Sequence, residues 1–307
     1  MQLLKSHAAL LAVNLLYGIN YLVAKGLMPG VIGANGFIFL RVSGATILFW
    51  ILFSFRFEKV TKKDLILLAL CGVFGVGVNQ LFFFNGLMRT SPVNASVFMV
   101  ITPILVLILS LIFLKETIRK VQIVGVVIGA SAAVVFSLQN TADSFATSLG
   151  DLFIFFNAVS YAIYLILVKP LMSRYNALTV ITWVFTFGLI VVLIWPYSFS
   201  ELPLVDWNEL SGTTVSKVIF VIIGVTFLPY LLMVYAMKNV SATVASVYIY
   251  IQPILATFFV YLYSIFGLED YSRDISVVKL ICTALIFAGV YLVIKPAKVN
   301  PEIKTSH

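Results

Sequence analysis

Apolar runs of about 20 residues, each long enough for one helical crossing of a bilayer, recur along this chain with short polar breaks between them. They predict ten helices, at approximately 7–25, 35–55, 65–88, 93–114, 120–138, 149–169, 177–197, 216–237, 242–266 and 277–295. Charge and turn residues punctuate the breaks: "RFEKVTKKD" after the second run, "LKETIRK" after the fourth, "QNTADSFATS" after the fifth and "PLVDWNELSGTT" after the seventh. The runs do not alternate apolar with polar positions as barrel strands do, and only helices or closed barrels satisfy every backbone group in lipid. The pattern therefore predicts an all-α membrane protein. The first run is interrupted by Asn14, Tyr17 and Asn20 and lacks an evident small-residue cleavage site, so it reads as a retained helix rather than a signal peptide.

The pattern also repeats. Residues 91–105 read "SPVNASVFMVITPIL" and residues 241–255 read "SATVASVYIYIQPIL", an ungapped match in the fourth and ninth runs. Five crossings separate the copies, and an odd number forces opposite orientations in the membrane. Asn14, Tyr21 and Leu22 of the first run align in the same way with Asn157, Tyr164 and Leu165 of the sixth. These matches predict ten transmembrane helices as a five-plus-five inverted repeat around a central cavity. The halves are residues 1–139 and 149–296, followed by a cytoplasmic tail at 297–307.

Composition agrees: 62% of the 307 residues are hydrophobic and 10% charged, where soluble domains average roughly 45–50% and 25%. The net charge of +8 is distributed by side. Fourteen Lys and Arg fall in one set of connections, and only Lys25, Arg89, Lys217, Arg273 and Lys279 in the other. By the positive-inside rule both termini are cytoplasmic and the protein is a multi-pass component of the cell (inner) membrane. The basic balance then reflects topology, and no nucleic-acid partner is expected.

Catalytic chemistry is missing from the runs. Cys71 and Cys282 stand alone and His7 and His307 lie at the termini, so no metal site or cofactor is expected. All twelve acids fall in connections or at run ends, which leaves no mid-membrane carboxylate for a proton or sodium ion. An embedded enzyme would need paired acids, a His with a nucleophile, or metal ligands.

The ten runs, the internal duplication, the Ser-x-x-x-Ala-Ser…Pro-Ile-Leu segment in the fourth run of each half, the Glu116 or Glu269 that follows it, and the small-residue fifth and tenth runs together resemble the drug/metabolite transporter superfamily, EamA type. The resemblance covers essentially the whole chain. It implies two EamA domains forming a ten-helix basket around a cavity, and export of amino acids or other small metabolites by alternating access. An organic-phosphate or nucleotide-sugar exchanger is the alternative, but it calls for several intramembrane cations.

Polar side chains inside the runs are candidates for the cavity wall. Asn14, Tyr17 and Tyr21 share one face of the first helix, and Asn157, Tyr161 and Tyr164 share one face of the sixth. Amides there would meet a zwitterion and rings its apolar part, or the amides simply bond neighbouring helices. Asn79, Gln80, Tyr248 and Gln252 are further substrate-binding candidates. Pro103 and Pro253 each remove a backbone donor, as a hinge or a fixed kink. Arg41, about 10 Å into the second run, is the one cation inside a span and a candidate for a substrate carboxylate, unless it snorkels or braces helix carbonyls. The small residues of "GVVIGASAA" and "CTALIFAGV" are expected to make tight helix contacts, within the chain or across a homodimer. The expected partners are a small-molecule substrate and the lipid bilayer, with the protein a monomer or homodimer.

Overall fold

A computed structural model describes residues 2–90, 95–96, 98–115, 117–138, 148–207, 210–265 and 277–295. Glu116, Glu269, residues 91–94 and the tail at 297–307 lie outside the described residues. Every regular element among those described is a helix, and the helices follow the apolar runs, except that the fourth is a continuous helix only from Ile101 rather than from near residue 93. They are α1 Gln2–Lys25, α2 Ala34–Ser54, α3 Lys62–Arg89, α4 Ile101–Leu114, α5 Lys120–Leu138, α6 Ser148–Val168, α7 Ala177–Ile194, α8 Gly212–Ala236, α9 Ala242–Val247 continuing as Gln252–Ile265, and α10 Val277–Ile294. Seven are long and apolar enough to cross a membrane, and α4, α5 and α10 are shorter apolar helices.

The burial pattern is that of a protein solvated by lipid. Ile47, Ile66, Phe113 and Leu280 are more than half exposed, whereas Asn14, Arg41, Asn79, Gln80 and Asn157 are buried. In water this arrangement would expose apolar surface and bury polar groups, both unfavourable; in a bilayer the apolar exterior costs nothing and the polar groups have one another. The chain is a multi-pass membrane protein.

Local chemistry sets the helix ends and irregularities. Thr61 and Ser211 cap α3 and α8 by accepting from the N–H of Asp64 and Thr214, and Ser241 caps α9 through Val244 N. A 3₁₀ turn, Tyr248–Ile251, precedes Pro253, and a turn at Met99 and Val100 precedes Pro103. In each case the distortion includes the residue four before the proline, whose carbonyl an α-helical proline ring would strike. The small-residue runs of α5 and α10 meet each other within the chain: a Cβ added at Gly289 would lie 2.7 Å from the Gly125 carbonyl oxygen.

Three features of the first half recur in the second. The π-helical turn Val73–Gly77 in α3 has a counterpart at Ile223–Phe227 in α8. Lys25, ending α1, donates to the carbonyls of Leu87, Met88 and Thr90 at the end of α3, and Lys169, following α6, donates to those of Met237 and Val240 after α8. Glu58 binds the start of α7 and Glu201 the start of α2. Gln80 and Tyr230, 150 positions apart, are bonded to each other.

The contacts also identify two ends of the bundle. α1 begins beside Asn239 and Tyr248, so Lys169, Arg174 and Glu58 are at this near end, joined by the Arg174–Asp64 ion pair and by Asn176. It finishes beside Thr90, so Glu201 and Asn35 belong to the far end. The Lys and Glu pairs thus divide between the two ends.

Candidate functional site

Polar residues of the helix interiors converge on one cavity. It is lined by Tyr17, Asn20 and Tyr21 from α1, Arg41 from α2, Asn79, Gln80, Phe83 and Phe84 from α3, Met99 before α4, Asn157 and Tyr161 from α6, Tyr230 from α8 and Gln252 from α9. The cavity volume is about 60 Å³. A water needs roughly 10–15 Å³ on this measure, so the cavity admits several waters.

Two chains of hydrogen bonds orient the amides, each fixed by a backbone carbonyl that can only accept. On one wall Asn14 donates through Nδ2 to the Leu10 carbonyl, so its Oδ1 accepts from Gln252 Nε2 at 2.8 Å, and Gln252 Oε1 in turn accepts from Tyr21 OH at 2.9 Å. On the other wall Tyr230 OH donates to the Gly75 carbonyl at 3.0 Å and accepts from Gln80 Nε2 at 2.5 Å. Asn157 Nδ2 donates to the Asn79 carbonyl at 2.8 Å. These assignments leave Gln80 Oε1 and Asn157 Oδ1 buried with no protein partner, and Asn20 Oδ1 is in the same condition. Buried polar atoms in native proteins are nearly always bonded. Three unbonded acceptors on residues lining one cavity leave its wall able to accept hydrogen bonds.

Arg41 supplies the opposite polarity. It is 2% exposed, donates through Nε to Thr226 Oγ1 at 2.9 Å and through Nη2 to the Val225 carbonyl at 3.3 Å, and sits 4.3 Å from the centre of the Phe84 ring. Its Nη1 has no partner, and no acid among the described residues pairs with it. Both bonds reach the π-helical turn of α8, just as Tyr230 reaches that of α3 at Gly75. The two irregular turns therefore serve as docking points for Arg41 and Tyr230, side chains that line the cavity; π bulges are frequent at functional sites.

Of the residues expected at the site, the structure brings Tyr17, Tyr21, Arg41, Asn79, Gln80, Asn157, Tyr161 and Gln252 to the cavity. Three others are elsewhere. Asn14 stands behind Gln252 and orients it. Tyr164 is buried against Gly75, where a Cβ would come within 2.3 Å of its ring. Tyr248 is directed to the near end, its OH 2.7 Å from His7 Nδ1. Sequence reasoning passed over Asn20, Phe83, Phe84, Met99 and Tyr230. The usable signals were the place of Asn20 one turn from Tyr17 and the 150-residue offset that pairs Tyr230 with Gln80.

Comparison with known proteins follows the same lines. The model of the EamA-like transporter family matches residues 4–138 and again 148–295. The chain is 28% identical over 240 residues to an uncharacterized transporter of Archaeoglobus fulgidus, covering 78% of this chain and 80% of that protein. It is 28% identical over 225 residues to the uncharacterized transporter YyaM of Bacillus subtilis, covering 70% and 71%. A shorter match, 27% over 136 residues and 44% and 45% of the two chains, is to a probable terminal-alkyne amino-acid exporter of Streptantibioticus cattleyicolor. A solved crystal structure superposes with a TM-score of 0.70 at 17% identity, over 95% of this chain and 96% of that one. That likeness concerns the fold.

Proposed function

We propose that this chain, which belongs to the EamA-like transporter family, is a secondary transporter that exports a small zwitterionic metabolite of the amino-acid class by alternating access. The observation that carries the substrate class is the cavity's division of polarity. Arg41 offers an unbonded guanidinium N–H, and Asn20, Gln80 and Asn157 offer unbonded amide oxygens. A carboxylate answers the first and an ammonium the second, and the rings of Tyr17, Phe83 and Tyr161 are at hand for an apolar side chain. The relationship to a probable amino-acid exporter supports the same class. With Arg41 as the single cation among the described lining residues, an organic phosphate is poorly matched.

The recurrence of features between residues 2–138 and 148–295, at opposite ends of the bundle, supports the ten-helix inverted repeat that alternating access uses. We place both termini in the cytoplasm, because the near end carries Lys5, Arg56, Lys59, Lys62 and Lys63.

Flux of labelled amino acids into proteoliposomes, paired with thermal shift in detergent, tests the reading. A carried amino acid should raise the unfolding temperature by mass action. Stabilisation by organic phosphates or neutral sugars but by no amino acid overturns it.

A further inference from the structure

Two carboxylates that the cavity does not use stand in matching places at opposite ends of the bundle. Glu58, in the α2–α3 connection, accepts through Oε2 from the backbone N–H of Asn176 at 2.9 Å and from Thr179 Oγ1 at 2.5 Å, at the start of α7. Glu201, in the α7–α8 connection, accepts through Oε2 from the backbone N–H of Gly36 at 2.9 Å and through Oε1 from Asn35 Nδ2 at 2.7 Å, at the start of α2. Each carboxylate accepts from one orphan backbone donor at the positive dipole end of a helix that belongs to the other half of the chain. Glu201 is fitted closely: a Cβ at Gly33 would lie 2.2 Å from its Oε2, so a side chain there would displace the carboxylate from this position. Asn35 is held in turn by Asn85 Nδ2 and Trp195 Nε1, both donating to its Oδ1.

We infer that Glu58 and Glu201 are paired gate residues, each latching the two halves together at one end, and that the cavity opens to a given side when the latch of that side releases. The inference rests on the alternating-access reading. Both latches are closed in this structure, so both ends are tied across the halves. Opening the far end requires the α7–α8 connection to leave α2, which breaks the Glu201 bonds and leaves those of Glu58 intact. Opening the near end reverses the roles. On release a freed carboxylate meets water while the closed one keeps its charge-assisted bonds.

Single cysteines in the cavity read the gates. In a protein carrying Cys71→Ala and Cys282→Ala, Asn20→Cys is reconstituted in vesicles and labelled with a membrane-impermeant maleimide from each face. Phe83→Cys serves as a second reporter in case the first variant fails to fold. Glu201→Ala should raise labelling from the Glu201 face by about tenfold, the population shift expected when charge-assisted bonds are lost at one end, and Glu58→Ala should do the same from the opposite face. If both variants merely lower Tm, or change labelling equally from the two faces while the parent is labelled from both, the glutamates are structural caps and the gate assignment falls with alternating access intact. If neither reporter is reached from either face in any variant, with or without added amino acid, the transport reading itself fails and takes the gates with it.

Discussion

Tyr230 OH lies 2.5 Å from Gln80 Nε2 although 150 residues separate them, and the same hydroxyl donates to the carbonyl of Gly75 in the π-helical turn of α3. One atom therefore joins the two halves across the cavity and satisfies a displaced helix carbonyl. Tyr230→Phe should strand both partners in a buried site, at about 1–3 kcal/mol, seen as a lowered unfolding temperature in detergent. Gln80→Leu combined with Tyr230→Phe should cost less than the sum of the single changes, because the pair shares one bond. A Tyr230→Phe protein as stable as the parent would show the hydroxyl to be dispensable.

Gly75 and Tyr164 form a second coupled pair. A Cβ at Gly75 would come within 2.3 Å of the Tyr164 ring, so Gly75→Ala should destabilise by about 1–3 kcal/mol through overpacking. Tyr164→Leu vacates that space, and its lost hydroxyl had no partner. The double variant should regain part of the loss in the same thermal assay; equal stability of Gly75→Ala and parent would contradict the contact.

Arg41 tests the substrate class. Arg41→Gln should weaken carboxylate-bearing ligands by about 1.5–3 kcal/mol, the range for hydrogen bonds to charged groups, and neutral analogues much less. Arg41→Lys should recover only part, since an ammonium keeps the charge without the planar fork. Binding to folded, purified variants decides: equal losses for charged and neutral ligands make Arg41 a brace for the α8 turn.

Topology is checked by cysteines at Thr61 and Asp206 in the cysteine-free background. Thr61→Cys should label only from the cytoplasm and Asp206→Cys only from outside. Labelling of both from one face would contradict the assigned orientation.

The helices were legible because each is written as a run of apolar residues bounded by charge, and lipid enforces that pattern one helix at a time. The cavity residues were legible in part, since an amide or guanidinium inside a span is costly anywhere except in the interior. Asn14 and Tyr164 show where that argument stops. Both are polar and buried, as expected, yet Asn14 orients Gln252 and Tyr164 fills the space above a glycine, because burial does not say which neighbour a side chain will meet. Tyr230 was overlooked for the converse reason: a single tyrosine after a proline in an apolar helix carries no local mark.

What the sequence determined by itself is the solvent of each helix, their order, and the duplication visible at residues 91–105 and 241–255, since all three follow from local pattern. Only the tertiary structure decided that Arg41 docks on Thr226 and Val225, that Tyr230 bonds Gly75, and that Glu58 and Glu201 each hold a helix of the opposite half. Those choices depend on π-helical turns that displace carbonyls from the α-helical ladder and on contacts between residues over 100 positions apart, and neither leaves a periodic trace in the chain.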